Sequence, residues 1–137
     1  MSEKLRILLV DDDRDVARAA SIRLQAAGYD VLVAHDGKEG LATAVEEHPD
    51  AIVLDLRMPV MDGHTVLRKL HERRDTDSIP VVVLSASMIE QSKARALDYG
   101  ARYFLEKPYE PRRLLEVVQA AVAPQVSPPP ARKGAEG

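Results

Sequence analysis

The chain has no cysteine among its 137 residues, which excludes disulfides, thiolate nucleophiles and cysteine-ligated zinc or iron–sulfur centres. Tryptophan is absent and phenylalanine occurs once, beside four tyrosines, so any core must be built from aliphatic side chains. No apolar run approaches the roughly 20 residues of a membrane span, and the opening MSEKLRILLV lacks the long apolar region and cleavage site of a secretory signal. Neither sign of charge dominates: 19 Lys and Arg oppose 22 Asp and Glu, leaving a net charge of -3. No basic stripe offers a nucleic-acid footprint, and a DNA-binding factor would need a second domain. The phosphate-cradling patterns G-x-x-x-x-G-K-[ST] and G-x-G-x-x-G are missing too, which disfavours a nucleotide enzyme. These absences lead us to expect a soluble, cytoplasmic chain with no membrane partner and no direct nucleic-acid partner.

The length suits one domain, and an apolar fraction of 45% supports a packed core. Apolar runs alternate with segments of helical periodicity along most of it. LRILLV (5–10), DVLVAH (30–35), AIVLD within 50–55, VVVLSA after Pro80 and RYFL (102–105) read as strands. Helices are expected over about 14–27, 37–47, 63–73, 90–99 and 111–122. Asp13 is placed to cap the first, and Gly28 and Gly100 to end the first and fourth. Inward faces are assigned to Val16, Ala20, Leu24 and Ala27; to Leu41, Ala44 and Val45; to Val66, Leu67 and Leu70; to Ala94 and Leu97; and to Leu114, Leu115, Val118 and Val122. Strand–helix alternation of this kind implies an α/β domain with a parallel sheet covered on both faces. Residues 1–123 form that domain, and the proline-rich 124–137 segment reads as a disordered tail.

In such sheets ligands sit beyond the carboxyl ends of the strands, and chemistry-bearing residues gather at those exits. Asp11 and Asp12 follow the first strand, Asp55 ends the third, Ser85 ends the fourth and Lys107 follows the fifth. Three adjacent carboxylates in LLVDDD repel one another and require an offsetting partner. Mg2+ takes hard oxygen ligands, so Asp12, Asp55, the backbone carbonyl of Arg57 and, through a water, Asp11 make a suitable half-shell. A carboxylate can itself be the nucleophile in phosphoryl transfer. Asp55 is best placed for that role, with Lys107 and Ser85 as donors to the transferred oxygens. Each residue also has a plainer reading: a helix cap for Asp11 or Asp12, a satisfied strand-end hydroxyl for Ser85, a solvated surface amine for Lys107. Their convergence on one rim favours chemistry.

With the acidic pair Asp11–Asp12, Asp55 in LDLRMPVMDG, Ser85 in LSA, and Lys107–Pro108 in EKP, the sequence resembles the receiver domain of two-component response regulators over about residues 4–122. The resemblance implies a doubly wound five-stranded sheet of flavodoxin-like order 2-1-3-4-5, and a single-domain type of regulator. It implies phosphorylation of Asp55, with Mg2+ as cofactor, by a sensor histidine kinase or phosphotransfer protein. Transfer and slow hydrolysis would be self-catalysed, without metabolic turnover. Ser85 and Phe104 correspond to the switch pair, and a cis Lys107–Pro108 bond is expected. An output protein would be met through the fourth helix, fifth strand and fifth helix. The resemblance admits a homodimer through that face, although no heptad or apolar stripe demands one.

Two departures matter. Phe104 offers no hydroxyl where tyrosine is common, while Tyr103 points to the other side of the strand. Arg57 places a long cation beyond Asp55. A haloacid-dehalogenase-like phosphatase would need DxDxT where this chain has DDDRD, and it would need room for a cap domain. A receiver-like domain that signals by docking without phosphorylation is the remaining alternative. Gly63 is read as relaxing the MDG turn, Met58, Pro59 and Met61 as loop packing, and His35, His48, His64 and His71 as surface residues.

Overall fold

The fold is described from a computed structural model over residues 4–58, 60–86 and 90–123. Strands β1 (Arg6–Val10), β2 (Asp30–Ala34), β3 (Ala51–Asp55), β4 (Val81–Ser85) and β5 (Tyr103–Glu106) alternate with helices α1 (Arg14–Ala26), α2 (Gly37–Glu47), α3 (Gly63–His71), α4 (Glu90–Asp98) and α5 (Pro111–Val122). The strands form one parallel sheet in the order β2-β1-β3-β4-β5, the doubly wound arrangement expected. Every residue of β3 and β4 is buried, because helices cover both faces of the sheet's centre. That is why these strands read as unbroken apolar runs.

Side chains alternate across a strand, so each strand feeds two cores. Ile7, Leu9, Val53, Val82, Leu84 and Leu105 pack with Ala17, Ala20 and Leu24 of α1 and Leu114 and Val118 of α5. Leu8, Val10, Ile52, Leu54, Val81 and Val83 pack with Ala44 of α2, Val66, Leu67 and Leu70 of α3, and Ala96 of α4. The strand order reverses at β1, which has β2 on one side and β3 on the other. The crevice above their carboxyl ends is where a ligand is expected.

Local chemistry sets the ends of the elements. Asp13, Asp36 and Asp62 cap α1, α2 and α3, each carboxylate accepting backbone N–H groups of the first turn. Gly28 and Gly100 follow α1 and α4 with φ of 102° and 96°, a conformation that side chains resist. Gly63 serves differently from the turn role expected of it. A Cβ there would lie 2.5 Å from the Asp55 carbonyl oxygen and the Leu56 Cα, so glycine lets the start of α3 rest against the end of β3.

Several inward assignments shift. Among the described side chains of α4 the buried residue is Ala96, whereas Ala94 is exposed and Leu97 is 50% exposed. The small side chain faces the sheet and the large one faces out, against the expectation that the larger residue anchors the helix. Ala27 is the exposed C-cap of α1. In α5 Val117 and Ala121 are buried, while Leu115 and Val122 are only half-buried. The fifth strand starts at Tyr103 and runs to Glu106, and α3 stops at His71. His64 is half-buried between α3 and α4, not a surface residue, with Nε2 3.0 Å from the Ser92 Oγ. Met58 and Met61 pack against the α2–α3 core. Pro59 and the proline-rich 124–137 segment lie outside the described residues.

Candidate functional site

The carboxyl end of the sheet gathers the residues singled out at the strand exits. Asp11 follows β1 directly and is completely buried. Its N–H donates to the Ala34 carbonyl at 3.1 Å, prolonging the β1–β2 pairing. Its Oδ1 accepts the Asp13 N–H at 3.0 Å, fixing the turn from strand to helix. Asp55 closes β3 with 4% exposure, and its Oδ1 accepts the Arg57 N–H at 3.0 Å. Lys107 arrives from β5, whose pairing with β4 continues through the Lys107 N–H to the Ser85 carbonyl at 2.8 Å. Its Nζ donates to Asp11 Oδ2 at 3.1 Å and to Asp55 Oδ2 at 3.0 Å. One ammonium therefore ties together the ends of β1, β3 and β5.

Asp12 is exposed, yet a carboxylate oxygen from each of Asp11, Asp12 and Asp55 lies within 4.8 Å of the others. Burial raises the pKa of Asp11, and the neighbouring Asp55 charge adds to that rise. The Asp13 N–H and the Lys107 ammonium oppose it without cancelling it. For Lys107, burial works against the charged form, but hydrogen bonds and attraction from Asp55 and Asp11 prevail, so its pKa is raised above 10.5. Two carboxylates share one ammonium and a third, Asp12, lies beside them, leaving an excess of negative charge. A divalent cation that prefers oxygen ligands fits this donor set, and Mg2+ bound by Asp11, Asp12 and Asp55 would offset the excess.

Ser85 is buried at the end of β4. Phe104 pairs in register with Val83, two residues before Ser85. By strand alternation Ser85 and Phe104 project to the same face of the sheet, toward α3 and α4. Phe104 is half-buried there, with the Lys93 Nζ 5.3 Å from its ring centroid, a cation–π contact between α4 and β5. Tyr103 packs on the opposite face and directs its hydroxyl to the Ala120 carbonyl at 3.5 Å. The Lys107–Pro108 peptide is cis, as expected.

Two residues at the site were not anticipated. The Nδ1 of half-buried His35 lies 3.2 Å from the Asp11 carbonyl oxygen, which buttresses the acidic turn from β2. Tyr109 lines a cavity of about 530 Å³ together with Asp55 and Lys107. A lone histidine and a lone tyrosine give no pattern in the sequence, although Tyr109 does directly follow the Lys-Pro pair.

The response regulator receiver domain family matches residues 7–119. The DNA-binding dual master transcriptional regulator RpaA of Synechocystis is 41% identical over 131 residues, covering 96% of this chain and 54% of that protein. The chain spans about half the length of the curated relatives it matches. Among solved structures, the chemotaxis protein CheY4 of Vibrio cholerae superposes with a TM-score of 0.83 at 32% identity, over 87% of this chain and 99% of that one. The receiver domain of a sensor histidine kinase from Pseudomonas aeruginosa has a TM-score of 0.82 at 26% identity, over 89% of this chain and 100% of that one. It was solved with a magnesium ion coordinated in its active-site cleft.

Proposed function

This chain belongs to the response regulator receiver domain family, and from that premise we propose that it is a signalling switch that accepts a phosphoryl group on Asp55. The observation that carries the proposal is the pairing of Lys107 with both Asp11 and Asp55 beside a third carboxylate, Asp12. A structural ion pair needs one carboxylate, whereas a site for a cation and a phosphoryl group needs several together with a fixed positive charge.

In this reading the donor is a phosphohistidine presented by a sensor histidine kinase or phosphotransfer protein. A carboxylate oxygen of Asp55 attacks phosphorus. The bond from phosphorus to the donor nitrogen breaks, and its electron pair leaves with the imidazole, which takes a proton from solvent. The Arg57 N–H holds the other carboxylate oxygen of Asp55, so the nucleophile is oriented before the donor arrives. Lys107 exchanges its bond to Asp55 for a phosphoryl oxygen, and the Ser85 hydroxyl donates to another. Asp11, Asp12, Asp55 and the Arg57 carbonyl would hold Mg2+, which would neutralise charge on the transferring oxygens. Hydrolysis resets the switch: water attacks phosphorus, the Asp55 carboxylate leaves, and inorganic phosphate departs.

Displacement of Ser85 toward the phosphoryl group vacates space on the face it shares with Phe104. Movement of that ring remodels the surface of α4, β5 and α5, where an output protein or a second copy of the chain docks. The receiver unit occupies residues 1–123 and works in the cytoplasm; no helix among the described residues is long and apolar enough to cross a membrane. The test is transfer from a phosphorylated histidine phosphotransfer protein, followed by peptide mapping of the acyl phosphate. A label on the peptide containing Asp55 supports the assignment, and a label on any other peptide overturns it.

A further inference from the structure

Tyr109 is a titratable group at the site that this chemistry leaves unused. Its half-buried ring packs with the α1–α5 core, while its hydroxyl is not among the buried unpartnered atoms of the described residues and so is open to solvent. A tyrosine placed this way sets an apolar body against the core and a polar tip in water, so its hydroxyl can exchange water for a ligand oxygen. The cavity of about 530 Å³ that Tyr109 lines runs from Asp55 and Lys107 down between Val16 of α1 and Leu114 of α5. The phenol thus borders the same open space as Asp55 and Lys107. Burial raises its pKa, Asp11 and Asp55 raise it further, and Lys107 opposes them, so the group stays protonated and lies within electrostatic reach of all three.

We propose that the Tyr109 hydroxyl is a further catalytic donor, giving its hydrogen bond to an oxygen of the phosphoryl group as that group passes to Asp55. The inference rests on Asp55 being the acceptor. No proton is transferred: the bonds made and broken are those already described, and the phenol keeps its hydrogen. A neutral donor suits this place because a second ammonium would pair with Asp11 and Asp55 in the resting state, while a phenol waits for the stronger charge of the phosphoryl group.

The test compares the full chain with Tyr109→Phe, with Tyr29→Phe as a control away from the site. Phosphoramidate serves as the nitrogen-linked phosphodonor and beryllium fluoride as the phosphoryl mimic, both with Mg2+. Loss of one hydrogen bond to a charged group is expected to slow labelling about tenfold and weaken beryllium fluoride binding about tenfold. Mg2+ affinity and the thermal midpoint should not change. Labelling and binding equal to the wild type would overturn the inference alone, as would losses matched by lower Mg2+ affinity or thermal midpoint, which mark a structural role. A wild-type chain that takes no phosphoryl group would remove both the inference and the reading on which it rests.

Discussion

Asp11 is completely buried, and among the described residues its carboxylate is answered by one cation, the Lys107 ammonium 3.1 Å away. The same ammonium serves Asp55, also buried, so Lys107→Ala strands two carboxylates at once. We expect the Mg2+-free protein to lose about 1–3 kcal/mol, less than for a fully buried pair because the Lys107 side chain is 19% exposed. Labelling by a small phosphodonor should slow about a hundredfold, the usual scale for removing a preorganised donor. Thermal denaturation and labelling kinetics check the two effects separately, and an unchanged rate would refute the role given to the lysine. Asp12 contributes differently, being exposed and joined to the cluster only by the closeness of its carboxylate to those of Asp11 and Asp55. Asp12→Ala should therefore weaken Mg2+ binding by much more than Ser85→Ala, as read by calorimetric titration. Equal affinities would contradict the division of labour between the carboxylate cluster and the switch hydroxyl.

Among the elements, α4 is where the chain's pattern was hardest to read. Its inner face presents Ala96, while Leu97 is half-exposed and Lys93 lies over the Phe104 ring. Hydrophobic periodicity weights large side chains, so a helix that turns an alanine inward and a leucine outward is assigned the wrong face. The His64–Ser92 contact between α3 and α4 was equally hidden, since it depends on two helices meeting. The strand exits were legible because each apolar run stops at a polar residue and parallel topology brings those stops to one edge. Burial lowers the pKa of His64 below 6.5; the Arg95 charge lowers it further, and Asp62 opposes both. A base with a depressed folded pKa binds its proton more readily when unfolded, so its contribution to stability is present above 6.5 and is lost as pH falls through the folded value. We expect the His64 ring resonances to titrate below 6.5. The thermal midpoint should drop across that interval by more in the wild type than in His64→Asn. A midpoint at or above 6.5 would contradict the burial argument.

For the molecule as a whole, the strand order was implied by the family resemblance and matches the order observed, while the parallel sheet and its two cores followed from alternating apolar strands and amphipathic helices. The exact surroundings of Tyr109 and His35 did not, because a single residue carries no period. The last buried side chain of α5 is Ala121, and among the described residues the two cores reach no further along the chain than Val122. A chain ending at residue 123 should therefore keep the thermal midpoint and Mg2+ affinity of the full 137 residues. A loss in either would move the domain boundary into the proline-rich segment.

The central claim is that Asp55 accepts a phosphoryl group with the help of a divalent cation. Intact-mass spectrometry after incubation with a small phosphodonor tests it most directly, on the wild type and on Asp55→Asn, each with and without Mg2+. The account predicts a gain of roughly 80 Da, one phosphoryl group, only in the wild type and only with Mg2+. The same gain in Asp55→Asn, or a gain indifferent to Mg2+, would contradict it.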